Sequence, residues 1–179
     1  MNDTSLKIIA SVGLAVGGVF GIAGAFAPSA PLRGLAWGLD GVGLVTASAI
    51  LTIWFYRRGQ DLISAGFLVF LVGQGLILSG AAMDLEASVP SFGAGVSLWA
   101  VALLLISFPP VFPFAVRALG ALAALLFVIT ALRIFGGEQV TPLSSPLPFH
   151  AYPVLVATMG GWIWTLLRAT DTTAPAGHS

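Results

Sequence analysis

Asp40 is the residue of this chain best suited to chemistry, because its acidic side chain lies inside a long apolar stretch. The stretch runs from Arg33 to Arg58 and contains no other acidic residue. As a helix it would extend about 36 Å, more than the ~30 Å thickness of a bilayer's hydrocarbon core. A charge in that core costs about 2.5–3.5 kcal/mol, so such a side chain usually faces protein or a cavity.

Two interpretations of Asp40 remain open from the sequence. As a functional group, it would be a carboxylate that exchanges a proton or binds a cation. As a structural group, it would be a paired or protonated acid that fixes the register of its helix, with Arg133 or His150 as its partner. The small residues Ala36 and Gly43, one helical turn away, predict that this face packs against another helix.

Gln74 is the second polar residue predicted at mid-membrane depth, and it lies between Gly73 and Gly75. A buried amide in lipid needs a partner and often bridges two helices. The flanking glycines indicate either a close helix crossing or an irregular helix segment that lines a cavity. The candidate ligand-binding or proton-binding residues are therefore Asp40, Gln74, Arg133 and His150. Tyr152 and Trp37 are interpreted as aromatic residues of the membrane interface or of helix packing.

The sequence gives little support for an enzyme or for a metal-binding protein. The chain has no cysteine, and it lacks the usual hydrolase, phosphate-loop, zinc-protease and dinucleotide motifs. Asp84, Glu86, Glu138 and His150 have no i, i+3 or i, i+4 pair that would suit a metal. The formal net charge is zero, which gives no electrostatic footprint for nucleic acid. We expect no catalytic residues, no metal, no cofactor and no nucleic-acid partner.

The composition predicts a membrane protein. Charged residues make up 8% and hydrophobic residues 58% of the 179 residues, whereas soluble domains contain about 25% charged residues. We predict an all-α, polytopic bundle with six transmembrane helices, which forms one unit over residues 1–168. The predicted helices cover about 7–27, 34–56, 61–83, 92–108, 114–135 and 149–168, and residues 169–179 are predicted to be a disordered cytoplasmic tail.

Orientation follows from the basic residues that flank the helices. Five of them fall on one side of the predicted threading and two on the other, which favours both termini inside. A cleaved signal peptide is the alternative for the first segment, because Ala25-Phe26-Ala27 resembles a cleavage site. The apolar run is longer than a typical signal peptide core, and Asp3 precedes it, so a retained helix is predicted.

Glycines at four-residue spacing predict close helix packing. Gly13, Gly17 and Gly21 form one smooth stripe on the first helix, and Gly43 contributes a small residue beside Asp40. This abundance of packing residues favours a non-catalytic accessory or scaffold subunit of a bacterial inner membrane. Its predicted partners are membrane lipids and other membrane proteins or a second copy of the chain.

A small-solute or proton-coupled transporter or channel that uses Asp40 is the alternative function. Besides Asp40 and Gln74, a repeated turn pattern supports this hypothesis. The pattern is F-x-P-x-x-P, and it is found at residues 26–31 and 108–113. Two halves of three helices each would be inverted relative to each other, as they are in many transporters.

Overall fold

The computed structural model describes residues 3–81 and 83–168, and these residues form six helices and no strand. The helices are α1 (Asp3–Ala25), α2 (Ala30–Tyr56), α3 (Asp61–Gly80), α4 (Val89–Ser107), α5 (Phe114–Phe135) and α6 (Ala151–Arg168). The predicted all-helical bundle is confirmed. The predicted tail, residues 169–179, lies outside the described residues.

The six helices form a closed ring. Each helix packs against the next one in the chain, and α6 packs against both α5 and α1. The connections between α1 and α5 contain four to eight residues, so these helices alternate in direction. The α5–α6 connection is longer, and α6 runs antiparallel to α1 because Tyr152 near its start lies against Gly21 near the end of α1. We call the end where α1, α3 and α5 finish the outer end, after the predicted orientation, and the opposite end the inner end.

Helices α1 to α5 are each long and apolar enough to cross a membrane. Helix α6 is not in that set. It has 18 residues, and its mean hydropathy is lowered by Tyr152 and Pro153 near its start and by Arg168 at its end. The chain is thus a multi-pass membrane protein by composition, whereas a crossing by α6 stays a prediction.

Several helices start earlier than the sequence predicted. Helix α1 begins at Asp3 because polar residues continue the helix beyond the apolar run, and an acidic residue suits a helix N-terminus. Pro31 and Pro90 precede the predicted helix starts at residues 34 and 92, whereas in the structure they lie in the first turns of α2 and α4. Proline fits there because the first turn does not need its missing N–H.

The stripe of glycines on α1 packs within the chain. A Cβ atom at Gly13 would lie 2.7 Å from the main-chain oxygen of Gly43, so the two helix backbones are in direct contact. A Cβ at Gly17 would overlap the side chain of Leu44. Gly13 and Gly17 on α1 therefore lie directly against α2, where Gly43 is opposite Gly13.

Aromatic rings fill the middle and inner half of the ring of helices. Phe55 stacks on Phe67 with ring centroids 5.6 Å apart, and Phe67 meets Trp162 edge to face at 5.1 Å. Nearer the middle, Phe70 stacks on Trp99 at 5.3 Å. Such pairs each contribute about 0.5–1.5 kcal/mol beyond their buried area. On the outer side of this aromatic layer, the side chains of Asp40, Gln74 and Tyr152 meet.

Candidate functional site

Asp40 lies at the meeting point of four helices. It follows the first residue of α2 by ten positions, about 15 Å along the helix axis, and its side chain points inward with 5% exposure. The Tyr152 hydroxyl on α6 donates a hydrogen bond to Asp40 Oδ1 at 3.1 Å. The Gln74 amide on α3 donates to Asp40 Oδ2 at 3.3 Å. On α1, a Cβ added to Gly17 would lie 3.4 Å from Oδ1.

The partners that the sequence suggested for Asp40 lie elsewhere. Arg133 pairs with Glu138 in the α5–α6 connection at 2.6 Å. His150 is exposed and its ring contacts Phe149. Among the arginines and the histidine of residues 3–81 and 83–168, none forms an ion pair with Asp40. Lys7 lies about 15 Å along α1 from Gly17, the α1 residue beside Asp40. Its carboxylate is therefore held by two neutral donors.

Gln74 comes from an unbroken part of α3, so the predicted helix irregularity is not found. The alternative, a close helix crossing, is confirmed, because a Cβ at Gly73 would lie 2.9 Å from the main-chain oxygen of Gly95 on α4. Gly75 faces open space. The amide oxygen of Gln74 is buried and has no hydrogen-bond donor in the described structure.

Tyr152 is the residue that sequence reasoning missed. We interpreted it as an interfacial aromatic residue, whereas its hydroxyl is hydrogen-bonded to Asp40 and lies 3.4 Å from the Gly17 carbonyl oxygen. Gly21 makes room for it, since any Cβ there would overlap the Tyr152 hydroxyl. The glycine stripe therefore has two partners, α2 at its inner part and the Tyr152 ring at Gly21.

A cavity of about 90 Å³ lies beside Asp40 and extends toward the outer end. Its walls come from all six helices and from the α3–α4 and α5–α6 connections. The lining residues are Gly21, Trp37, Asp40, Gln74, Ile77, Leu78, Gly80, Ala81, Met83, Leu85, Ser88, Phe92, Trp99, Phe127, Pro142, Pro148 and Tyr152.

The cavity combines a few polar groups with a largely apolar wall. Besides the Asp40 carboxylate and the Gln74 amide, Trp99 contributes an indole N–H that is buried without an acceptor. Asp84 and Glu86 are exposed in the α3–α4 connection at the outer rim, and the Arg33 guanidinium lies 5.9 Å from the centre of the Trp37 ring. This arrangement suits the binding of a small solute through one charged contact and several aromatic ones.

Residues 3–81 and 83–168 contain no group of three or more histidine, cysteine, aspartate or glutamate side chains that could hold a metal ion. Arg133 and Glu138, which pair with each other, do not reach the cavity beside Asp40. Of the four candidate binding residues, the structure brings Asp40 and Gln74 together.

Comparison with family models, curated proteins and solved structures found no match for this chain.

Proposed function

We propose that this chain is a small-solute transporter of a bacterial inner membrane, with Asp40 as the residue that recognises the solute or exchanges a proton. The observation that carries this is the cavity in which the Asp40 carboxylate, held by Gln74 and Tyr152, meets a mostly apolar wall. Ligand sites in proteins are typically concave, mostly apolar and equipped with a few placed polar groups.

The size of the cavity restricts the solute. Pockets for drug-sized ligands measure about 300–1,000 Å³, whereas this cavity measures about 90 Å³. Only a solute of a few non-hydrogen atoms fits beside Asp40, although a longer one could extend toward the outer rim. The proposed cargo is therefore a small metabolite or ion rather than a lipid or a peptide.

The charge of Asp40 supplies a coupling mechanism. A carboxylate without a protein cation, away from bulk water, has to be neutralised by a proton or by a positive solute. Both would be held by the same carboxylate oxygens, so they compete. Such competition is the chemical basis for exchanging a solute against a proton across a membrane.

The accessory-subunit hypothesis depended on the glycine stripe of α1. Gly13 and Gly17 pack against α2, and Gly21 packs against Tyr152, so this stripe is occupied by the chain's own side chains and backbone. The observation that favoured an accessory role therefore no longer distinguishes it from transport. An accessory or scaffold role, with other membrane proteins as partners, stays the second prediction.

Uptake into proteoliposomes tests the proposed transport. Wild-type protein and Asp40→Asn would be reconstituted, and the entry of radiolabelled tetramethylammonium, glycerol and methanesulfonate would be measured with an imposed pH gradient in each direction. Asp61→Asn is the matched control, because Asp61 is an exposed acid at the inner start of α3. Asp40→Asn should fold, because the free Gln74 oxygen can accept a hydrogen bond from the new amide after rotation of the Gln74 side chain.

We expect at least one of the three solutes to enter faster with wild-type protein and with Asp61→Asn than with Asp40→Asn or in protein-free vesicles. Equal entry of all three solutes in wild-type and Asp40→Asn vesicles would refute transport through this site. In that case co-purification with membrane-protein partners would become the informative experiment for the accessory role.

A further inference from the structure

We propose that the cavity binds a small organic monocation, ion-paired with Asp40 and in contact with aromatic rings, a substrate class that rests on the proposed transport function. The relevant ligands are alkylammonium ions, in which a positive nitrogen carries small apolar groups. Four independent features of the site lead to this class: its charge, its walls, its free acceptors and its size.

Within residues 3–81 and 83–168, no ion pair to Asp40 balances the charge of the site. Asp40 accepts one hydrogen bond from Tyr152 and one from Gln74, and both donors are neutral groups. The nearest basic residue along α2 is Arg33, about 10 Å away along the helix, and its guanidinium faces Trp37. A cationic solute would supply the missing charge, whereas an anionic solute would be repelled.

The walls of the cavity favour an organic cation over a metal ion. Trp37, Phe92, Trp99, Phe127 and Tyr152 line it, and aromatic rings attract alkylammonium ions, most strongly where water is excluded. Hard metal ions instead select sites built mainly from oxygen ligands. A wall with so many rings contributes nothing to such a metal site.

The free hydrogen-bond acceptors of the site suit a ligand that carries N–H donors. The Gln74 amide oxygen is buried without a donor, and each Asp40 oxygen accepts a single hydrogen bond from the protein. A carboxylate oxygen can accept two, so acceptor sites remain on both atoms. An alkylammonium group carries up to three N–H donors on one centre, which suits several acceptors that converge.

The size of the cavity selects small members of the class. An engineered cavity of about 150 Å³ takes up benzene, so a cavity of 90 Å³ takes an ion of roughly four non-hydrogen atoms. Isopropylammonium has this size. Isopropanol and acetate have the same number of non-hydrogen atoms but are neutral and negative, so the three compounds isolate the effect of charge.

Isothermal titration calorimetry on the purified full-length protein in detergent micelles tests the inference. The probes are isopropylammonium chloride, isopropanol, sodium acetate and sodium chloride at pH 7. The variants are Asp40→Asn for the charge and Trp37→Leu for the aromatic wall. Trp164→Leu is the matched control for the second variant, because Trp164 is half exposed and does not line the cavity.

We expect isopropylammonium to bind wild-type protein about tenfold or more tightly than isopropanol or acetate. Asp40→Asn should abolish this preference, Trp37→Leu should weaken binding of the ammonium ion, and Trp164→Leu should leave it unchanged. Equal affinity for isopropanol, or binding of sodium ions in place of the ammonium ion, would overturn the organic-cation assignment.

The flux experiment distinguishes a failure of the proposed substrate class from a failure of the proposed transport function. If the ammonium ion does not bind but glycerol or methanesulfonate enters vesicles in an Asp40-dependent way, the substrate class is wrong and the transport function stands. If no probe binds and no solute enters, both fail. Binding of the ammonium ion without any flux would support the substrate class and refute transport.

Discussion

Replacing Gly21 by alanine tests the geometry of the site most directly. The new Cβ atom would overlap the Tyr152 hydroxyl and lie 2.7 Å from Tyr152 Cε1, so the ring has to withdraw from Asp40. Inserting a methyl group into a packed interior costs about 1–3 kcal/mol, and a lost interhelical hydrogen bond in a membrane costs about 0.6 kcal/mol. Alanine's better helix propensity returns about 0.5–1 kcal/mol.

We therefore expect Gly21→Ala to lower the free energy of unfolding by about 1–3 kcal/mol. Unfolding would be followed by circular dichroism during titration of mixed micelles with sodium dodecyl sulfate. Gly38→Ala is the matched control, because a Cβ at Gly38 meets nothing within 4 Å; its stability should be unchanged or slightly raised. In a Tyr152→Ala background, adding Gly21→Ala should cost nothing, since the clashing ring is gone.

Equal stability of Gly21→Ala and Gly38→Ala in the wild-type background would refute this reasoning. It would mean that the Tyr152 ring does not lie against α1. A penalty that persists in the Tyr152→Ala background would point to another neighbour of Gly21. The double-mutant comparison therefore isolates the Gly21–Tyr152 contact from general effects of alanine on α1.

Three further substitutions test the rest of the bundle, two by the same unfolding measurement and one by amide exchange. Gly13→Ala should destabilise the protein more than Gly18→Ala, because a Cβ at Gly13 would lie 2.7 Å from a main-chain oxygen, whereas a Cβ at Gly18 would lie 3.2 Å from a valine methyl group. The reverse order would contradict backbone contact between α1 and α2. Trp162→Ala removes a ring with 1% exposure and should lower the free energy of unfolding by about 3–5 kcal/mol. A loss of stability no larger than that of Trp164→Ala would argue against the aromatic layer. Arg117→Ala should lose two hydrogen bonds to carbonyl oxygens at the end of α4, at 2.7 and 2.8 Å, and should therefore speed amide exchange in the last turn of α4. Arg117→Lys should restore protection from exchange only in part, because lysine lacks the forked donor geometry of arginine.

The number of helices and the close packing of α1 were predictable because both follow from local properties of the sequence, whereas α2 as the packing partner of α1 was not predicted. A membrane requires long apolar segments, and close helix contact in lipid requires small residues at regular spacing. Gly13 and Gly43 carry this signal without reference to the rest of the chain. The starts of α2 and α4 were misplaced because Pro31 and Pro90 occur equally well in a loop and in a first helical turn.

The partner of Asp40 was not predictable, because it depends on how the ring of helices closes. Tyr152 lies 112 residues from Asp40 in the sequence, and it reaches the carboxylate only because α6 returns to α1. A tyrosine near a helix end is also what the membrane interface selects, so its residue type gave no separate signal. Gly21 was predicted to be a packing residue, and the structure places it against the Tyr152 side chain, which no spacing rule on α1 specifies.

The distribution of polar and aromatic residues determines what the proposed transporter would have to do. The outer half holds Asp40 and its donors, whereas the centre is closed by Trp99 and Phe70, stacked at 5.3 Å, and by Trp162 below them. A solute that enters from the outer end can bind at Asp40 but cannot continue inward past these rings. Transport therefore requires a second arrangement in which this aromatic layer opens while the outer rim closes. A protein in which the layer stayed fixed would bind the same solute and release it to the same side, so movement of Trp99 and Phe70 separates a transporter from a membrane receptor with the same cavity.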